Sequence, residues 1–215
     1  MLLAIGALVV VGLMVFVDAW EINLMPPRGA ASLWPARLLT DFGKDAYVIG
    51  ALGLALAIVA LVLPRSRANF RSRLLGFGTR VEYLFFAVLV PVLAGEVIKW
   101  IVGRGRPFVG GKADVFNFVP FNGTEAHFSF PSAHSITAFA LAFAVGALWA
   151  RVAMFFYAVV IISTRLVLLA HHPSDVTAGA IIGLVGAVAV QYWFAVRQLG
   201  FAIRDDGKIV PLSRH

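Results

Sequence analysis

"PRSRANFRSRLLGFGTR", residues 64–80, carries Arg65, Arg67, Arg71, Arg73 and Arg80 and no acidic residue. It lies between two apolar runs, and that placement decides the fold. A helix of about 20 apolar residues, rising 1.5 Å each, crosses the ~30 Å hydrocarbon core of a bilayer. Working outward from the arginines gives six candidate spans: Leu2–Val17, Tyr47–Leu63, Val81–Val102, Ser135–Ala150, Val152–Ala170 and Val176–Val196. Lysine and arginine concentrate in cytoplasmic loops. With 64–80 inside, both termini are cytoplasmic, Arg151 marks an inner turn, and Arg197, Arg204, Lys208 and Arg214 form an inner tail. Asp18–Ala46 is then outside, where Arg28, Arg37 and Lys44 are balanced by Asp18, Glu21, Asp41 and Asp45. Gly103–His134 and His171–Asp175 are outside as well.

Composition agrees with lipid as the solvent. The 215 residues are 60% hydrophobic and 13% charged, whereas soluble domains are about half apolar and a quarter charged. The absence of cysteine excludes a disulfide framework, a thiolate metal site and a thiol nucleophile. The net charge of +7 comes from arginines beside apolar spans, a pattern of membrane topology rather than of nucleic-acid binding. The first span lacks a basic leader, and "VFVDAW" (residues 15–20) is a poor cleavage site, so it reads as a retained helix. "GAASLWPARLLTDFGKDA" (residues 29–46) reads as a short interfacial helix. The expectation is an all-α polytopic membrane protein, one membrane-embedded domain over 1–215 with its motif-bearing core at 81–196.

The same topology gathers the unusual polar residues at the outer face. Lys99 ends the third span, where the bland reading is a snorkelling lysine. "KWIVGRGRP" (residues 99–107) adds Arg104 and Arg106, and Gly103, Gly105 and Pro107 break the helix so that several cations can aim at one point. Glu96 precedes Lys99 by three positions and can pair with it. In "FPSAHSITAF" (residues 130–139), Ser132 is a natural N-cap, and His134 follows in the first turn. That is either a capped helix facing water or a helix N-terminus that receives a phosphate. "TRLVLLAHHPSD" (residues 164–175) puts Arg165 a few residues below the outer surface. A charge at that depth belongs in a bundle interior or a wet cavity, with a partner. Pro173 suits the first turn of a helix, and His171 and Asp175 can meet across the tight turn. His134, His171, His172 and Asp175 are suitable metal ligands, but Lys99, Arg106 and Arg165 repel a metal ion and attract a phosphate. Phe108, Phe116, Phe118, Phe121, Phe128 and Phe130 make the outer loop oily, for interfacial anchoring or for contact with lipid chains.

Together these segments resemble the signature of the type 2 phosphatidic acid phosphatase superfamily: K-x6-RP, then PSGH, then SR-x5-H-x3-D. Lys99 with Arg106-Pro107 fits the first part. "PSAH" (Pro131–His134) fits the second with Ala133 in place of glycine, and Thr164-Arg165, His171 and Asp175 fit the third with threonine in place of serine. The resemblance implies that His171 attacks phosphorus to form a phosphohistidine, Asp175 orients it, and His134 protonates the leaving oxygen. It implies that Lys99, Arg106, Ser132, Arg165 and backbone amides around Ala133 hold the phosphoryl oxygens. The spacing from Arg165 selects His171 over His172, and no metal or organic cofactor is implied. An alanine at 133 would be strained if that position needed φ > 0.

The expected function is hydrolysis of a lipid phosphate or pyrophosphate in a bacterial inner membrane, with the site at the outer, periplasmic face. Undecaprenyl pyrophosphate is placed first on family grounds, beside phosphatidylglycerol phosphate, phosphatidic acid and lipid A phosphates. A lipid-linked phosphotransferase is the second reading. A transporter with Lys99, Arg165 and Glu96 along an ion path is the alternative from another class. It predicts polar residues spread through the membrane depth.

Overall fold

The apolar runs form helices whose ends depart from the sequence expectation in informative places. The computed structural model describes residues 1–27, 29–111 and 113–212; Arg28, Arg214 and His215 lie outside the described residues. In chain order come α1 (Leu2–Phe16), α2 (Asp18–Leu24), α3 (Trp34–Asp41), α4 (Asp45–Val62), α5 (Ala68–Val102), α6 (Ala133–Ala144), α7 (Leu148–Val167) and α8 (Pro173–Val196). A small antiparallel hairpin, β1 (Phe201–Ile203) with β2 (Ile209–Pro211), follows and pairs Phe201 with Pro211. The hairpin was not foreseen and qualifies the all-α expectation.

The arginine-rich stretch is mostly helix rather than loop. Pro64 sits in a 3-10 turn, Leu63–Arg65, that closes α4. Beyond it the sequence offers arginine and leucine, which favour helix, and α5 runs on for 35 residues. At 1.5 Å per residue that is about 50 Å, well beyond a ~30 Å core. Arg71, Arg73 and Arg80 lie in its first four turns. Pro91 lies inside α5, which membrane helices tolerate because neighbours satisfy the freed groups.

The fourth and fifth expected spans also shift. α6 stops at Ala144, and Val145 and Ala147 are extended before α7 begins at Leu148. Arg151 Nε donates to the Val145 carbonyl at 2.7 Å, satisfying an acceptor at the helix end. The 12 residues of α6 cover about 18 Å. The first span is bent by 52° between α1 and α2, so Asp18 sits at a break. Four helical segments are long and apolar enough to cross a membrane, and the bent α1–α2 pair adds a fifth if it crosses as one. The short helix expected near 29–46 is present as a 3-10 turn at Ala31–Leu33 followed by α3.

α6 is the centre of the bundle and packs on α5, α7 and α8. Val88, Ile136, Ala140, Ala187 and Phe194 form the shared core. Lipid tails give no hydrophobic drive between helices, so small residues and close packing hold them. Gly179 and Gly183 do this for α6 and α8: a Cβ there would lie 2.5 Å from the Ser132 carbonyl oxygen and 2.4 Å from that of Ile136. The outer surface is apolar, with Leu2, Leu8 and Phe16 more than 70% exposed, which suits lipid contact and not water.

Candidate active site

The C-terminal ends of α5 and α7 and the N-terminal ends of α6 and α8 meet at one end of the bundle. The Ser132 amide donates to the Asp175 carbonyl at 3.1 Å and ties the starts of α6 and α8. Gly103 ends α5 with φ of +57°, and a Cβ there would lie 1.9 Å from the Val119 carbonyl oxygen. Glycine is therefore required for the chain to turn back. The returning strand-like segment is pinned by backbone bonds, with the Val119 amide on Gly103 and the Arg106 amide on Ala126, at 2.8 and 2.9 Å.

Several polar groups converge on this end without satisfying one another. Among the described residues, Arg106 Nε, Arg165 Nε, Ser132 Oγ and His134 Nε2 are buried and have no hydrogen-bond partner. Ser132 is the N-cap of α6 by position, but its hydroxyl makes no capping bond. The first intrahelical bond is from the Ile136 amide to the Ser132 carbonyl, 3.0 Å. The amides of Ala133, His134 and Ser135 lie ahead of it, at the positive end of the helix dipole. Arg165 is steadied by a 2.8 Å bond from Nη1 to Thr40 Oγ1 on α3. Lys99 is buried and pairs with Glu96, so the bland pairing holds. Lys99 nevertheless remains within electrostatic reach of His134, as do Arg106, Arg165 and Lys44. The arrangement is a nest of donors and cations suited to a tetrahedral oxyanion.

His171 faces this nest. It is buried, and Arg165, Arg106 and His134 are the charged groups that act on it. Burial first, then the two guanidiniums, hold its imidazole well below the ordinary 6.5. Nδ1 lies 2.7 Å from the Ser129 carbonyl oxygen. A carbonyl only accepts, so Nδ1 carries the hydrogen and Nε2 presents a lone pair. Asp175 Oδ2 is 3.9 Å from the same Nδ1, because that oxygen already accepts from Ser129 Oγ at 2.6 Å and from the His172 amide at 2.8 Å. Asp175 and His171 are thus both bonded to Ser129, one to its hydroxyl and the other to its carbonyl, and the carboxylate makes no direct hydrogen bond to the ring of the kind anticipated from spacing. His172 is fully buried and turned to the other side, under the influence of Arg104 and Asp18.

Arg104 corrects the sequence reading. It does not join the other cations; it is fully buried behind Asp175. Nη1 donates to Asp175 Oδ1 and Ser174 Oγ, both at 2.6 Å. Nη2 donates to Asp18 Oδ2 at 2.9 Å and to the Val115 carbonyl at 2.8 Å, and Nε to the same carbonyl at 3.1 Å. All five guanidinium hydrogens are thereby used. Asp18, Ser129, Ser174 and Thr40 were not singled out from sequence. The one available signal was Asp18, an ionisable residue at the very end of an apolar span.

The two departures from the expected motif are accommodated. Ala133 is the first residue of α6, with no positive φ, so the strain feared at that position does not arise. Thr164 is buried and its hydroxyl donates back to the Ile161 carbonyl at 2.6 Å, so its hydrogen is engaged within its own helix.

The chain matches the model of the PAP2 superfamily over residues 80–199. It is 36% identical over 181 residues to a lipid A 1-phosphatase of Rhizobium johnstonii, covering 79% of this chain and 71% of that protein. It is 33% identical over 190 residues to a lipid A 1-phosphatase of Rhizobium etli, covering 84% and 79%. No solved structure matched. The matched segment contains α6, α7, all of α8 and most of α5, and with them every motif residue gathered around His171. Sequence pattern, geometry and similarity therefore converge: the chain belongs to the PAP2 superfamily and is a membrane phosphatase acting on phosphoric monoesters.

Proposed function

We propose that the protein removes the 1-phosphate of a lipid A-type glycolipid at the outer face of a bacterial inner membrane, through a phosphohistidine. The observation that carries this is the set of buried, unpartnered polar atoms around His171: Arg106 Nε, Arg165 Nε, Ser132 Oγ and His134 Nε2. These groups and the free amides at the start of α6 hold the phosphoryl oxygens. His171 Nε2 attacks phosphorus while its Nδ1–H stays on Ser129. His134 gives a proton to the departing lipid oxygen, and water then releases phosphate. Positioning and charge supply most of what such a transfer needs.

The names of the relatives favour lipid A over undecaprenyl pyrophosphate, which the sequence alone had placed first. The exposed Phe108, Phe116, Phe118 and Phe121 of the outer loop suit contact with acyl chains. The arginines at the far end of α5 support an outer site and cytoplasmic termini. The six-span arrangement is retained in this reading, with the central α6 as a short span, and the chain works as one unit.

The test is phosphate release by the purified full-length chain in detergent with EDTA. Lipid A, undecaprenyl pyrophosphate, phosphatidylglycerol phosphate and phosphatidic acid are run beside His171→Ala. Release from lipid A that persists in EDTA and disappears in His171→Ala is the expected result. Full activity of His171→Ala removes the nucleophile assignment. Faster turnover of another lipid reassigns the substrate, and transfer to an alcohol in place of water makes the protein a phosphotransferase.

A further inference from the structure

We propose that Asp18, at the start of α2 and outside the family-matched segment, is a positioning residue that keeps the negative charge of Asp175 effective at His171. The proposal rests on His171 being the nucleophile. Asp18, Arg104 and Asp175 are all fully buried, and the one guanidinium bridges the two carboxylates at 2.9 and 2.6 Å. Every partner of both carboxylates is a donor. Asp18 takes the Ser174 amide on Oδ1 at 3.0 Å, and Arg104 and Ser174 Oγ on Oδ2. Asp175 takes Arg104 on Oδ1, and Ser129 Oγ and the His172 amide on Oδ2. Neither oxygen pair faces an acceptor, which is the pattern of two ionised groups.

Paired with Asp175 alone, the permanent charge of Arg104 would leave a neutral pair beside the imidazole. The second carboxylate changes the sum to one net negative charge. That charge matters at one moment. When Nε2 forms the N–P bond, the P–O bond to the lipid breaks and its electrons leave with the lipid oxygen, which takes a proton from His134. The His171 ring, still carrying its Nδ1–H, becomes cationic. It then sits against the Ser129 carbonyl at 2.7 Å and the Asp175 carboxylate at 3.9 Å. Stability alone does not account for such a cluster, because buried ions are costly and well-packed apolar residues serve the fold equally well. The bend between α1 and α2 delivers Asp18 to this place, and Thr40 delivers a second N-terminal contact to Arg165. The segment ahead of the matched region thus completes the site.

The experiment compares Asp18→Asn, Asp18→Glu and His171→Ala with the unaltered full-length protein in detergent. It reads kcat and KM for lipid A, inhibition by orthovanadate (a five-coordinate phosphate mimic that bonds to the nucleophile), and the melting temperature. Asp18→Asn is expected to lower kcat roughly 10- to 100-fold with KM within about threefold, and to weaken vanadate inhibition in parallel. Asp18→Glu, which restores the charge, recovers part of the loss. A folded Asp18→Asn with unchanged kcat overturns the proposal. So does Asp18→Glu that is as impaired as Asp18→Asn, since shape and not charge would then govern. An Asp18→Asn protein that fails to fold also overturns it, in favour of a purely structural ion pair. If the unaltered protein releases no phosphate, or His171→Ala remains active, the proposed reaction itself has failed, and the Asp18 variants are not what decided it.

Discussion

Gly179→Ala tests whether the contact between α6 and α8 sets the geometry of the phosphate nest. A Cβ at 179 would lie 2.5 Å from the Ser132 carbonyl oxygen and 2.8 Å from Ser135 Cβ. Carbon–oxygen contacts begin near 3.3 Å, so the start of α6 must move by about 0.8 Å or more. The obstacle is helix backbone, not a flexible side chain, and cannot step aside alone. Overpacking of this kind costs about 1–3 kcal/mol. A displacement near 1 Å at reacting groups costs on the order of 100-fold in rate. The expected result is a kcat reduced about 100-fold and a lower melting temperature, measured by phosphate release and thermal unfolding in detergent. Gly50→Ala is the control, because nothing lies within 4 Å of a Cβ there; it should leave both values close to the starting ones. Gly179→Ala with normal kcat would refute the reasoning, because the nest would then tolerate a shifted helix.

Asp175→Asn removes the charge that accepts from Arg104, Ser129 Oγ and the His172 amide; kcat should fall at least 100-fold in the phosphate-release assay, as other charge-removing changes beside a catalytic histidine do. The pH dependence of stability follows from the buried histidines. His171 is held well below 6.5, and His172 at about 3, chiefly by burial. The unfolded chain therefore binds more protons below pH 6.5, so their contribution is complete above that value and is lost as pH falls toward the folded values. Each histidine contributes a slope of about 1 kcal/mol per pH unit in that window. Melting temperatures between pH 7 and pH 5 should fall accordingly, and a flat profile would contradict the burial of both rings.

Much of the site was legible in the chain because it is written in local spacing. The break at Gly103, the helix start at Ser132 and the turn before Pro173 are short-range signals. They put Lys99, Arg106, His134, Arg165 and His171 at one end of the bundle. Helix ends were less legible. The break after Ala144 lies in a continuous apolar stretch, where hydropathy is the same on both sides and the packing of α6 among three helices sets its length. The extension of α5 through the arginines was hidden for the opposite reason, since charge suggested a loop where backbone propensity continued the helix.

By itself the sequence determined the solvent, the family pattern and the set of residues that meet, because apolar run length, charge asymmetry and motif spacing depend on neighbours along the chain. Only the tertiary structure decided how those residues divide. Arg104 and Arg106 are two positions apart, yet one is spent on buried carboxylates and the other keeps a buried donor unpartnered. The partners that settle this, Asp18 and Asp175, are 86 and 71 residues from Arg104. No local period encodes such pairings; they exist because the bend after α1 and the close approach of α6 and α8 bring distant segments into one water-excluded space, where Arg104 is paired with both carboxylates.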